Sequence, residues 1–370
     1  MGCSSNDDTE YSNDEAGYQQ AEQQPEEPQP EEQPVDALRL QVVTTIFPQF
    51  DFVRQIAGDR VDLTMLISPG AESHAFEPTP RDMVTLYQAD LFVYVCSDAE
   101  HWVSRVLESL ERDDMHTVAM ISLIDPIYTY HWGDDHDHGH HDHGHGHHDH
   151  SHSHDDHGHH DHDHDHDYDH HSHDHDYDHH DHDHDHHHHD HHHDHLYDEH
   201  VWTSPRNAIL IVQALTETLA ALDPANADFF RANAAAYISE LEALDAALTQ
   251  VVSEAARTTL VFGDRFPFIY LTEAYGLTAY AAFDGCSTET QVSPARVASL
   301  IDMVQDNDIP VVFYIELSNR QIAGVIAEAT GAALLELHSA HNVSHADFTA
   351  GITYLEIMQR NIEHLREALR

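Results

Sequence analysis

A chain of 370 residues with 68 acidic side chains and only 15 basic ones, every one of them arginine, carries a formal charge of -53. Such a surface repels nucleic acid and anionic lipid, which excludes both as direct electrostatic partners. No apolar run reaches the ~18 residues of a membrane span, and Cys3, Cys96 and Cys286 are too far apart for a Cys-x-x-Cys zinc or redox motif.

In chain order, residues 1–36 form an acidic, Gln- and Pro-rich stretch that reads as a disordered tether. It begins Met1-Gly2-Cys3-Ser4-Ser5, which resembles the cleavage point of a bacterial lipoprotein, with Cys3 as the lipid-bearing residue. Residues 37–130 read as a first α/β lobe. The β-branched run Arg39–Ile46 predicts a strand, 49–57 a helix closed by Gly58, and Val61–Ile67 a strand. The turn-rich loop Ser68–Pro80 follows, with Thr79 as cap and Pro80 as first residue of the next helix. Leu91–Cys96 predicts a strand, Trp102–Leu110 a helix and Thr117–Ser122 a fourth strand; the alternation means a parallel sheet.

Residues 131–198 interrupt this pattern. Between His131 and His195 stand 34 of the chain's 42 histidines, interleaved with aspartate and almost free of aliphatic residues. Such a segment cannot bury enough apolar surface to offset the entropy of ordering, which predicts a disordered loop. Imidazole binds zinc, copper, nickel and iron, whereas magnesium and calcium prefer oxygen, so the composition points to capture of a transition metal.

From 199 to 256 the chain reads as helix. Ser204 is placed to cap and Pro205 to start a helix through Leu222, and a second, Ala-rich helix extends from Ala225 to about Ala256. About 32 residues at 1.5 Å each give a rod near 48 Å, long enough to brace two lobes. Residues 257–370 repeat the first lobe's alternation, with strands at Thr258–Phe262, Leu277–Phe283, Pro310–Ile315 and Ala332–Leu337, and close on an amphipathic helix from about His345 to Leu369.

Ligands of open α/β sheets bind beyond the carboxyl ends of the strands. His74 follows the second strand, His338 follows the last, and His200 precedes the connecting helices. Three imidazoles meeting between lobes would make a tetrahedral zinc site, with Asp264, Glu316, His341 or water in the fourth position. Cys286 reads either as a further soft donor or, as a lone cysteine, as packing, and His101, His116 and His364 read as surface residues. A pairing of Cys96 with Cys286 stays open.

At Pro69–Pro80 (Pro-Gly-Ala…His-x-x-Glu-Pro-Thr-Pro), His200–Pro205 (His-Val-Trp-x-Ser-Pro), Thr330–Ala332 and Tyr354–Ile362 the chain resembles the zinc and manganese solute-binding lipoproteins of bacterial ABC importers, the ZnuA/TroA-like group. The resemblance implies two Rossmann-like lobes joined by one long helix, a monomer at the cell surface or in the periplasm, and no enzymatic activity. Its partners would be a membrane permease and an ATPase. His74 and His200 stand where that family places two ligands. Its third ligand falls on Gly263, which has no side chain, and its fourth falls on His338, so the resemblance implies His74, His200 and His338 as the metal residues. Nitrogen donors favour Zn2+ over Mn2+ as the transported ion. A metal-sequestering adhesin and a zinc hydrolase with Asp264 as base are the competing readings.

Overall fold

The computed structural model describes residues 39–71, 76–96, 100–128, 197–283 and 292–370. Contacts divide the chain into Met1–Arg39 and Leu40–Arg370, and every element below belongs to the second unit. Among the described residues no helix is long and apolar enough to cross a membrane. The tether, His74, Cys3, Cys286 and the histidine-rich stretch to Leu196 lie outside the described residues; Cys96 is buried just past the third strand.

Two four-stranded, all-parallel sheets carry the fold. The first comprises β1 (Leu40–Thr44), β2 (Val61–Met65), β3 (Leu91–Tyr94) and β4 (His116–Ala119), ordered β2-β1-β3-β4. The second comprises β5 (Thr259–Phe262), β6 (Thr278–Ala281), β7 (Val311–Tyr314) and β8 (Ala333–Glu336), ordered β6-β5-β7-β8. Helices α1 (Phe47–Ala57), α2 (Pro80–Tyr87) and α3 (Trp102–Leu110) serve the first sheet. Helices α4 (Pro205–Leu222) and α5 (Ala227–Ser253) connect the sheets, and α6 (Ile269–Tyr275), α7 (Pro294–Asp306), α8 (Gln321–Thr330), α9 (His345–Ala350) and α10 (Tyr354–Ala368) complete the second.

Side chains alternate across each strand, so one sheet feeds two cores. Val42, Leu91 and Val93 join the large central core, while Val43 and Phe92 turn to an outer cluster with Leu86, Trp102 and Val106. The second sheet does the same: Leu260, Phe262, Val311 and Phe313 face the central core, and Val261 and Val312 face Leu300, Val304 and Ile326. Helices α4, α5 and α10 bring Leu215, Leu241 and Ile362 into the central core, which unites the two lobes. Each such side chain contributes about 1.5–3 kcal/mol on leaving water.

Several expected boundaries shift for local reasons. The connecting helix α5 has 27 residues, about 40 Å of rise, because Asp223 and Asn226 bond to each other and hold residues 223–226 in a turn. The closing helix is two helices. Gly351 ends α9 in the left-handed region at φ 80°, and Thr353 restarts α10 through reciprocal bonds with Glu356. Ser204 does not cap α4 with its side chain: its Oγ is buried and has no partner among the described residues, and only its carbonyl receives the Ala208 N–H. His364 is half-buried rather than surface-facing, with Nδ1 against the Glu336 carbonyl at 2.6 Å. His101 and His116 are exposed, as expected for surface residues.

Candidate metal centre

The segment after β4 runs through a short 3-10 turn at Met120–Leu123 to Tyr128, and the chain is described again from Tyr197. These two tyrosines form an antiparallel bridge with rings stacked at 4.6 Å. Beside them the backbones of Ile127 and Asp198 bond at 2.8 Å, and the Tyr270 hydroxyl from α6 accepts the Ile127 N–H at 3.2 Å and donates to the Asp198 carbonyl at 2.8 Å. The base of the histidine-rich insertion is therefore fastened to the second lobe.

Asp198, Glu199 and His200 are all buried. One Asp198 carboxylate oxygen accepts the His200 backbone N–H at 2.9 Å and lies 3.0 Å from ring Nδ1. That contact sets the tautomer: the proton sits on Nδ1, and the Nε2 lone pair faces outward from Asp198. Burial pushes the His200 pKa down, but the charges of Asp198, Glu199 and Glu316 and the Asp198 hydrogen bond push it up and prevail. A field that favours a proton on the ring favours a cation beside it.

The Nε2 nitrogen of His200 meets His341 from the second lobe. His200 Nε2 lies 3.2 Å from His341 Nδ1 and 3.9 Å from a Glu199 carboxylate oxygen. One donor atom from each of Glu199, His200 and His341 falls within 4.8 Å of the others. Trp202 packs edge-on against both imidazoles, at 5.4 Å each, and its Nε1 donates to the Ser339 carbonyl at 2.8 Å. Tyr354 in turn donates to the Trp202 carbonyl at 2.7 Å.

His341 is presented by the turn after β8. Glu316, at the end of β7, accepts the Ser339 N–H at 2.8 Å and its hydroxyl as well, so it is committed to this turn. Asn342 reaches across to the first lobe, donating to the Ala71 carbonyl at 2.6 Å while its Oδ1 accepts the Gly70 N–H at 3.3 Å. Ala71 is the last described residue before His74, so the chain that carries His74 leaves from a point bonded to His341's neighbour.

Of the three expected metal residues, His200 stands in the cluster, His74 lies outside the described residues, and His338 is not among the three clustered side chains. His338 Nδ1 accepts the Ala340 N–H at 2.9 Å and stands 3.6 Å from Glu316. Asp264 accepts the N–H groups of Arg265 at 2.9 Å and Ile315 at 3.5 Å, which leaves it holding backbone. Gly263 is pressed against α8: a Cβ there would lie 2.2 Å from the Ala323 Cα, so no side chain fits. Glu199 was missed in the sequence, though its place beside His200 in Asp-Glu-His was a signal. His345 opens α9 and is exposed.

Glu100, buried near this centre, accepts the N–H groups of Val95 at 2.7 Å and Cys96 at 3.3 Å. Burial pushes its pKa up to about 8; the Thr45 hydroxyl and those backbone donors offset part of the shift and the Glu199 charge adds to it.

A family model described as "Zinc-uptake complex component A periplasmic" matches residues 42–368. The zinc-binding lipoprotein AdcA of Streptococcus pneumoniae is 29% identical over 331 residues, covering 89% of this chain and 56% of the relative. The high-affinity zinc uptake system protein ZnuA of Bacillus subtilis is 27% identical over 331 residues, covering 90% of this chain and 88% of the relative. The crystal structure of the Zn(II)-bound ZnuA-like domain of S. pneumoniae AdcA superposes with a TM-score of 0.64 at 25% identity, over 90% of this chain and 99% of that one. The chain thus spans little more than half the length of AdcA.

Proposed function

Because this chain belongs to the family of periplasmic zinc-uptake components, matched over residues 42–368, we propose that it is the extracytoplasmic binding protein of a zinc ABC importer, which takes Zn2+ as cargo between its lobes and passes it to a permease driven by an ATPase. His200, His341 and Glu199 are the donors, and His74 enters from the first lobe. The observation that carries this reading is the pair of ring nitrogens from opposite lobes 3.2 Å apart. Two nitrogens bound to one tetrahedral zinc at 2.0–2.1 Å stand about 3.3 Å apart. Two imidazoles and a carboxylate suit zinc better than manganese, which prefers oxygen. The Asp198 contact at Nδ1 supplies the outer partner that zinc-binding imidazoles carry.

In this reading the histidine-rich stretch from His131 to His195 collects metal beside a site that it does not build. Many weak imidazole sites raise the effective concentration of the ion at one tight site. The meeting of Tyr128 and Tyr197 supports this, since the two ends of the insertion already touch. Anchoring through Cys3 and a monomeric state belong to the same proposal, checked by mass spectrometry of the membrane fraction and by sedimentation. A binding protein rather than a hydrolase also predicts no zinc-dependent turnover of esters or peptides.

The test is zinc competition against a chromophoric chelator. The full chain and a variant joining Tyr128 to Tyr197 should each hold one tight zinc. His200→Ala and His341→Ala should each lose it while the weak sites of the insertion persist. Loss of all tight binding in the joined variant would sink the reading.

A further inference from the structure

His338 follows β8 directly and looks from the sequence like a ligand, yet its surroundings give it a different task. Its backbone is held on both sides by Asn361, whose Oδ1 accepts the His338 N–H at 2.9 Å and whose Nδ2 donates to the His338 carbonyl at 2.7 Å. Its ring turns back on the chain, and Nδ1 accepts the Ala340 N–H at 2.9 Å. Ala340 is fully buried and left-handed at φ 59°, a conformation that disfavours residues with a Cβ. The next residue is His341.

A neutral imidazole has one N–H and one lone pair. With the Nδ1 lone pair given to the Ala340 N–H, the proton of His338 sits on Nε2, and neither nitrogen has a lone pair left for a metal. The ring therefore cannot hold zinc while it holds the turn. That turn aims His341 at His200: Ser339 is fixed by Glu316 and Trp202, and the His341 N–H reaches the Ser339 Oγ at 3.2 Å.

We propose that His338 is a positioning residue which, through the Ala340 N–H, locks the left-handed turn that presents His341 to the metal. This rests on the reading of His200 and His341 as zinc donors given above. It separates two histidines three positions apart: one binds the cargo and the other shapes the backbone that carries it.

The test uses the full chain and the tightest zinc equivalent, read by chelator competition, with far-UV circular dichroism and thermal midpoint on every variant to keep loss of fold apart from loss of binding. His338→Asn places Oδ1 where Nδ1 accepts and should bind zinc within about threefold of the parent. His338→Ala should weaken binding about tenfold, as expected for an outer partner of a ligand. Adding Ala340→Gly to His338→Ala should restore most of that loss, because glycine enters the left-handed region without a steric cost. His341→Ala should lose more than the about 10–100-fold that outer partners cost. If His338→Asn weakens binding as much as His341→Ala, and glycine at 340 rescues nothing, His338 is a ligand and the proposal falls. If His341→Ala keeps the tight zinc, the donor assignment fails instead, and the two failures are told apart.

Discussion

The two sheets share one strand order, β2-β1-β3-β4 and β6-β5-β7-β8, but their strand ends do different work. After the first strand of each sheet, polar side chains serve backbone. Gln49 Oε1 accepts the N–H groups of Thr45 and Ile46, and Asp264 accepts those of Arg265 and Ile315. After the fourth strand of each sheet come the side chains of the candidate metal cluster: Glu199 and His200 beyond β4, and His341 beyond β8. In an open sheet the crevice near the first strand is the usual ligand position. Among the described residues of this chain, the candidate cluster lies beyond the edge strands instead.

The sharpest way to break that comparison is to return a side chain to the end of β5. Gly263→His or Gly263→Ala drives a Cβ into the backbone of α8 at Ala323. Overpacking of this kind costs about 3 kcal/mol. Urea unfolding of the metal-free protein should show a loss of that size and no gain in zinc affinity. A stable Gly263→His protein that binds zinc more tightly would mean that the first-strand position is still open to a ligand.

Next in size is Asp198→Asn. It keeps the shape but removes the charge that holds the His200 Nδ1 proton, and outer partners of metal-bound imidazoles are worth about 10–100-fold in affinity. Zinc competition should show a loss in that range with the fold unchanged.

Glu100 offers a test through pH on the first lobe's side. Its folded pKa, about 8, lies above the ordinary carboxylate value of 4.5. The native state therefore keeps a proton that the unfolded chain releases, and the contribution of Glu100 to stability is full below pH 4.5 and lost as pH rises to 8. The slope is at most about 1.4 kcal/mol per pH unit. The unfolding free energy of the metal-free protein across this window should fall with rising pH for the parent and lose that component in Glu100→Gln.

Much of this architecture was legible in the sequence because the local signals and the packing agree. The β-branched runs became the strands, except that the run expected to reach Ser122 ends as a strand at Ala119 and goes on as a 3-10 turn, and Thr79 with Pro80 opened α2 as read. Other signals are weaker than the pattern around them: Gly351 and the Thr353…Glu356 pair mark a break inside what reads as one amphipathic helix. That His341 rather than His338 joins His200 in one cluster of donor atoms was not legible. Counting from a strand end favours the nearer histidine, whereas the direction of each ring depends on a left-handed alanine that no residue type announces. Burial of Asp198, Glu199 and His200 also arises from contacts across more than a hundred residues, as between Trp202 and Ser339.

The smallest expected effect concerns the joint between insertion and site. Tyr270 is a second-lobe residue whose hydroxyl takes the Ile127 N–H and gives its own proton to the Asp198 carbonyl. It thus joins both arms of the insertion to the segment that holds His200. Tyr270→Phe keeps the buried ring and removes only that bridge, a change worth about 1 kcal/mol per hydrogen bond. The backbone pair of Ile127 and Asp198 remains, so the fold should persist and zinc affinity should fall by less than in Asp198→Asn. Hydrogen exchange should report the difference: the amides of Ile127 and Asp198 lose protection in Tyr270→Phe, while Ser339 and His341 keep theirs. Equal loosening on both sides would mean that Tyr270 supports the whole cleft, and that the donors beyond β4 and β8 are held as one unit rather than as two.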